Sequence, residues 1–454
     1  MAQSILYYST NHAAPKISFG EALLQGLAPD KGLYMPDSIP VFSSEELAGF
    51  SHKSYAEIAF AVFSKFFGNE VPANTLKTMC QEAYTFDIPL EAVIDNKYIM
   101  RLDQGPTASF KDFAGQMMGR LMQFFLQKNN AHKLILTATS GDTGSAVAHA
   151  FYKRSNIQIA VLFPESEVSD RQRKQMTTLG ENIQIIAIDG KFDDAQAMVK
   201  EAFSDPDLRH LELTSANSIN IGRLIPQIVY YIYAYSRLAT SKNQPILFSI
   251  PSGNFGDMMG CVLASKMGLP VKKILIALNQ NNEFETLLRT QKYAKIEPSI
   301  NCISNAMNVG HPSNLARVIE LYGGNMDEKG TITKNPDYTL LQNDFFAVSV
   351  SDEITKQTIA RTWEQYNVLL EPHGAVGWRC VEEYCAQNPT ENNALIVSLE
   401  TAHPAKFPQA IIEQTGINPE LPPSLQNLDT LPEQFDRVQG NYATFKKYLL
   451  EKYS

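Results

Sequence analysis

From about residue 97 the chain alternates short, mostly apolar runs with amphipathic stretches, and no other feature restricts its architecture as much. The runs fall at residues 134–139, 159–163, 183–188, 246–250, 274–278, 345–350 and 395–399. Strand-length segments that are apolar on both faces need cover on both faces. Parallel strands joined by crossover helices supply that cover, so the pattern predicts an α/β fold of parallel, twisted sheets covered by helices. Ligands in such sheets lie beyond the carboxyl ends of the strands. Residues 1–95 read instead as a mixed region of short helical patterns with the turn-rich link Ala28-Pro29-Asp30-Lys31-Gly32. Residues 96–410 read as a core of two interleaved α/β subdomains. Residues 411–454 read as a wrap, proline-rich and polar over 421–433, that ends in a helix over 442–453.

Two of the predicted strands run into glycine turns. The run at 134–139 leads into Ser140-Gly141-Asp142-Thr143-Gly144 and a helix-like 145–151. The run at 246–250 leads into Ser252-Gly253-Asn254-Phe255-Gly256 and a helix-like 257–266. Glycine lets the backbone approach a ligand closely, and a helix N-terminus offers free N–H groups to an anion. Either turn alone is an ordinary strand-to-helix connection. A lysine gives the pair its meaning. Gly105-Pro106 breaks the strand-like run 98–102, and Ser109 with Asp112 three residues on predicts a helix capped by the serine hydroxyl. Phe113, Met117, Leu121, Phe124 and Phe125 then recur at helical spacing and bury one face. Lys111 falls in the first turn of this helix, where the helix dipole and burial both disfavour an ammonium. Taken alone, such a lysine more often packs its stem and sends its charge to solvent. Taken together with two anion-binding turns, an amine kept partly neutral is suited to capturing an aldehyde cofactor.

Composition removes other classes. A net charge of -9 argues against a nucleic-acid binder. No run is long enough to cross a membrane, and the start MAQSILYYSTNH has neither the basic region nor the apolar core of a signal peptide. Five scattered cysteines without a CxxC motif read as free thiols in a reducing, cytoplasmic setting. Cys380 and Cys385 lie in a helix-like segment without nearby histidines, so no metal is expected. No G-x-x-x-x-G-K-[ST] occurs, which excludes a P-loop nucleotide hydrolase.

The segment P-T-A-S-F-K-D at 106–112 resembles the cofactor-lysine motif of threonine synthases, members of the tryptophan-synthase-β-like, fold type II pyridoxal-phosphate enzymes. T-A-T-S-G-D-T-G at 137–144, S-A-N-S-I-N-I-G-R at 215–223, P-S-G-N-F-G-D at 251–257 and T-A-H-P-A-K-F at 401–407 resemble further segments of that family, in its order. The beginning, from Phe19 to Pro36, resembles the family's N-terminal region. The resemblance implies a lyase that converts O-phospho-L-homoserine and water to L-threonine and phosphate, acting as monomer or homodimer. It implies pyridoxal 5'-phosphate held by Lys111 beside Phe110, with the phosphate in the loop of Ser252, Gly253, Asn254, Phe255 and Gly256. Asp142 falls near the cofactor ring and Thr401 opposite its pyridine nitrogen. Ser109, Ser140, Thr143, Ser218, Asn220 and Arg223 are implied as substrate contacts. Many relatives in the wider fold group carry Asn where this chain has Asp142; an anion there repels the cofactor's phenolic oxygen unless a proton is shared. Asn11-His12 departs from the Arg-Gly frequent in the family. Arg223 lies near the start of a long apolar helix (Ile221, Leu224, Ile225, Ile228, Ile232), which Pro226 either kinks or marks as the true first turn. His373 and His403 are expected to be structural or to act through a neighbour. Two alternatives stand beside this reading: another enzyme of the fold, such as a serine/threonine dehydratase, or an inactive relative used for binding.

Overall fold

The computed structural model describes residues 5–139 and 141–453. All seven apolar runs are strands, and they assemble into two separate sheets. The larger has six strands in the spatial order Phe345–Ser349, Val271–Leu278, Ile246–Pro251, Leu395–Glu400, Lys97–Arg101 and Leu90–Ile94. Every neighbouring pair is parallel except the last, an antiparallel hairpin. The smaller has five parallel strands in the order Asp436–Gln439, Ile183–Asp189, Ile157–Pro164, Lys133–Ala138 and Leu213–Thr214. The central strands Ile246–Pro251 and Leu395–Glu400 are buried at every residue, which is why they read as continuous apolar runs rather than alternating ones.

The helix Lys111–Lys128 is packed among other helices and is buried along most of its length. Gly115 and Gly119 face Ala146 and Ala150 of the helix Asp142–Phe151; a β-carbon on Gly115 would meet the Ala150 methyl at 3.2 Å. Small residues on both surfaces let the two helices approach closely, so their N-terminal turns come together. On its other side Phe113 packs against Tyr55, ring centroids 5.5 Å apart, and Phe125 lies 6.1 Å from Phe19. The N-terminal region thus rests on the back of the Lys111 helix.

The start of that helix differs from the serine cap expected. Phe110 occupies the cap position with no side-chain hydrogen bond, and Ser109 supplies only its carbonyl, to the Asp112 N–H at 3.1 Å. The Ser109 hydroxyl lies 3.3 Å from that of Thr107. Asp112 instead turns back and accepts from the Thr107 N–H and hydroxyl, both at 2.8 Å. A buried carboxylate that folds the preceding loop onto the first turn outcompetes a serine cap. Pro226 acts as predicted: Ile221–Leu224 and Ile228–Leu238 are α-helical, and Ile225–Gln227 between them is a 3₁₀ turn. The C-terminal helix forms over Tyr442–Tyr453, buries Phe445 and Leu449, and follows a strand that completes the smaller sheet. In the wrap, Leu425 is buried beside Ala108 and Ala405, which ties it to the segments before Lys111 and Lys406.

Candidate active site

Backbone pairing creates the site. Ser109 forms an antiparallel bridge with Ala402, the Phe110 N–H donates to the Thr401 carbonyl at 2.9 Å, and the His403 N–H donates to the Ala108 carbonyl at 3.1 Å. The end of the strand Leu395–Glu400 and the start of the Lys111 helix are therefore held side by side, with Thr401 buried at the junction. Ala108, two residues before the helix cap, is bent into the left-handed region at φ 52°.

Lys111 is half-buried, its Nζ 5.0 Å from the Phe110 ring centre and 3.7 Å from Asp142 Oδ2. Burial pulls its pKa below the ordinary lysine value. Asp142 opposes this, while Lys406 and Arg223 add to it and Glu371 opposes it again. The direction is the one the dipole and burial argument predicts.

Asp142 is buried in the first turn of its helix. Burial raises its pKa, but the ammonium groups of Lys406 and Lys111 outweigh that and hold it well below the carboxylate range. Lys406 Nζ stands 2.6 Å from Asp142 Oδ1, and Gln172 Nε2 donates to the same oxygen at 3.0 Å. The glycine turn is closed by Thr139, whose hydroxyl accepts from the Gly141 and Gly144 N–H groups at 2.9 and 2.8 Å. Gly141 has φ 133°, a conformation that excludes other residues. Thr143 is half-buried in the first helical turn. Ser140 lies outside the described residues.

The second turn is also a strand–glycine–helix junction, but it is closed by a hydroxyl that donates. The Ser252 N–H donates to the Ala277 carbonyl at 2.9 Å, and its hydroxyl donates to the Ile250 carbonyl at 2.9 Å. A β-carbon on Gly253 would meet the Ala306 carbonyl at 2.9 Å and the Met307 Cα at 3.0 Å. Phe255 takes a left-handed φ of 59°, and Gly256 opens the helix Gly256–Lys266. Asn254 is exposed and accepts from the Ser313 N–H at 3.0 Å. Asp257, one residue into the helix, accepts from the hydroxyls of Tyr230 and Tyr231. Its other oxygen has no partner, and burial lifts its pKa to about 6 against those hydrogen bonds.

Arg223 is not at the surface: it is 4% exposed. Its Nη1 donates to the Ala216 carbonyl at 2.8 Å and its Nε has no partner. Among the described residues no carboxylate comes within ion-pair distance of it. Burial lowers its pKa to about 10, with Asp112 and Tyr230 opposing, so it stays cationic at neutral pH. Ser218 is half-buried against the phosphate-type turn: a β-carbon on Gly256 would meet the Ser218 Cβ at 3.2 Å. Asn220 departs from its expected substrate role. Its amide donates to the Leu23 and Ser215 carbonyls at 2.9 and 3.0 Å, and its oxygen accepts the Gly222 N–H at 2.9 Å. With every group engaged and the side chain buried, it shapes the loop rather than reaching the site.

Two contributors, Asn314 and Arg317, escape the sequence argument, whereas His373 and His403 were expected to be structural or to act through a neighbour. Asn314 donates to the carbonyls of Asn254 at 2.8 Å and Ser218 at 3.3 Å, joining the two loops. Arg317, fully buried, donates to the carbonyls of Ile219 at 2.7 Å, Tyr34 at 3.0 Å and Ser218 at 3.3 Å. A cation at a core position, between Leu315 and Val318, was the available signal. The His373 Nδ1 hydrogen bonds to Glu371 at 2.5 Å, and its Nε2 accepts the Ala306 N–H at 3.1 Å. Nδ1 therefore carries the proton, and the relay sets the backbone on which Gly253 packs. His403 Nδ1 accepts the Ala405 N–H at 3.1 Å.

Pyridoxal phosphate fits these residues. A lysine whose ammonium is disfavoured by burial, and a turn at the start of a helix whose Gly253 is too crowded for a side chain, meet the needs of an aldehyde bearing a phosphate. The fold and site define a pyridoxal-phosphate-dependent enzyme, and residues 88–401 match the family model described by that name. Residues 6–84 match the model for the threonine synthase N terminus, and 374–449 that for the threonine synthase C-terminal region. The chain is 36% identical to the threonine synthase of Haemophilus influenzae over 98% of its own length and 99% of the relative's. It is similar to the solved PLP-bound threonine synthase from Brucella melitensis, with a TM-score of 0.91 and 34% identity over 99% of this chain and 100% of that one. The Escherichia coli threonine synthase structure gives 0.87 and 34% over 98% and 99%. The chain belongs to the threonine synthase family, a family of pyridoxal-phosphate-dependent lyases, and these matches favour that reading over a dehydratase or an inactive relative. No helix among the described residues is long and apolar enough to cross a membrane.

Proposed function

We propose that this enzyme converts O-phospho-L-homoserine and water to L-threonine and phosphate, with pyridoxal 5'-phosphate carried on Lys111. The observation that carries the substrate is Arg223: a buried guanidinium with an unpaired Nε and no carboxylate partner among the described residues. Leaving such a charge uncompensated is costly, and a phosphate dianion supplies both the charge and the acceptors. The loop of Ser252, Gly253, Asn254, Phe255 and Gly256 would hold the cofactor's own phosphate, so Arg223 and Ser218 remain for the phosphate of the substrate.

Once bound, the cofactor supplies an electron sink that acidifies the substrate's Cα–H bond. Lys111 then works as a proton carrier. The free amine would accept a proton from Cα, burial favouring its neutral form, and the family implies further transfers at Cβ and Cγ. Arg223 would draw charge from the phosphate as it leaves Cγ; water adds at Cβ. Thr401, which the resemblance sets opposite the pyridine nitrogen, would offer a hydroxyl rather than a carboxylate and so would not demand a protonated ring. Ser109, Thr143 and, outside the described residues, Ser140 are the remaining candidates for orienting substrate. Five cysteines without a disulfide among them accord with a cytoplasmic enzyme, acting as monomer or homodimer. The test is phosphate release from O-phosphohomoserine by cofactor-loaded protein, with threonine identified as product. Ammonia and a keto acid from threonine, without phosphate release, would favour the dehydratase.

A further inference from the structure

Lys406 is a charged group at the site to which neither the motifs nor the proposed chemistry assigns a role. Its ammonium is fully buried, 2.6 Å from Asp142 Oδ1 and 3.0 Å from the Thr107 carbonyl. It cannot swing away. The turn that bears it, Pro404–Lys406, is fixed by the His403 N–H on the Ala108 carbonyl and by the Ala405 N–H on His403 Nδ1. Gln172 occupies the same Asp142 oxygen at 3.0 Å, and a β-carbon on Gly141 would collide with the Gln172 amide. One carboxylate oxygen is thus saturated, while Oδ2 faces Lys111 Nζ at 3.7 Å.

We propose that Lys406 is a positioning residue for the reaction: it takes up the charge of Asp142, so that the carboxylate orients the Lys111 nitrogen without locking a proton onto it. The inference rests on Lys111 being the cofactor lysine. Without Lys406, Asp142 would have one cation left, Lys111, and a buried pair of that kind favours the doubly charged state. The amine would then be a poorer nucleophile for the cofactor aldehyde and a poorer base at Cα. The other charged groups acting on Lys111 are Arg223, Glu371 and Asp257, one from each of three further elements around it. The geometry makes Lys406 the one that acts through Asp142.

The experiment is a charge cycle on Lys406 and Asp142, read by titration rather than turnover. In holoenzyme, the absorbance of the bound cofactor is followed against pH; in cofactor-stripped protein, the rate of Lys111 acylation is followed against pH. K406M is expected to move both midpoints upward by about one to three units, the usual effect of an unshielded opposite charge at this range. The double variant K406M/D142N is expected to return to within about half a unit of the wild type. D142N alone leaves two buried cations facing each other and is expected to shift the midpoints downward. A merely structural lysine would show no such rescue. Unchanged midpoints in K406M, or failure of D142N to restore them, would overturn the proposal. If K406M does not fold, D142N alone decides, and an unchanged or raised midpoint overturns it. Peptide mapping of borohydride-reduced wild type separates the two levels. Label on Lys406 removes the Lys111 reading itself, whereas label on Lys111 with flat titrations removes only the role of Lys406.

Discussion

Replacing Arg223 with methionine removes the guanidinium while keeping most of the side chain's volume, so it isolates charge from packing. In the protein alone the arginine makes one hydrogen bond, to the Ala216 carbonyl, and its Nε has none. No carboxylate among the described residues forms an ion pair with it, so the substitution orphans one carbonyl and relieves a buried, uncompensated charge. The two effects oppose each other, and thermal stability is expected to change by less than about 1–2 kcal/mol. The functional loss has no such offset. A charge-assisted hydrogen bond to phosphate contributes about 1.5–3 kcal/mol, which corresponds to roughly tenfold to hundredfold in kcat/KM. The assay is steady-state phosphate release from O-phosphohomoserine, with cofactor affinity measured in parallel by absorbance. The account requires kcat/KM to fall by at least about tenfold while cofactor affinity stays the same. Loss of cofactor would mean that Arg223 serves the cofactor's phosphate. Unchanged kcat/KM in a folded, loaded variant would refute the reasoning and remove the main support for a phosphorylated substrate.

Gly253→Val forces a side chain against the Ala306 carbonyl and the Met307 Cα, both backbone atoms that cannot rotate away. At an overpacking cost of about 1–3 kcal/mol, cofactor should dissociate measurably faster on dialysis; unchanged retention would place the phosphate elsewhere. Asp257 makes a prediction about pH. Its folded pKa is raised to about 6, so the folded state holds a proton that the unfolded chain releases near pH 4. Stability should therefore fall as pH rises from about 4 to about 6, by up to about 3 kcal/mol, and Asp257→Asn should flatten that part of the melting profile. The sign reverses for Asp142, whose folded pKa is depressed: its contribution is full above the ordinary carboxylate pKa and is lost as the solution becomes strongly acidic. In Asp142→Asn, acid unfolding should lose part of its steepness, which thermal melts below about pH 4 would reveal.

Both sheets, the Lys111 helix and the two glycine turns were legible because each is encoded within a short window. Apolar runs of strand length, followed by glycine and a helical period, declare themselves without tertiary information. The break in the helix at Pro226 is legible for the same reason. Contacts between distant segments were not. Lys406 and Thr107 are 299 residues apart in the chain, and nothing in H-P-A-K-F shows that its lysine is buried against Asp142. Asn220 was implied as a substrate contact by the resemblance alone, yet the Leu23 carbonyl, from the N-terminal region, takes its amide. Ser109 looked like a cap because the local spacing permits one; a buried Asp112 claimed the turn instead. Local patterns located the site. Its electrostatics arise from groups that meet only on folding.

The central claim is that Lys111, rather than the buried Lys406 on the other side of Asp142, carries the cofactor. Both amines lie within 4 Å of the same carboxylate, at 3.7 and 2.6 Å, so the two lysines are the natural competitors. Reduction of the yellow holoenzyme with borohydride, followed by proteolysis and mass spectrometry, reports the lysine directly. The account predicts a pyridoxyl group on the peptide containing Lys111 and none on the peptide containing Lys406. Label on Lys406, or on neither, would contradict it.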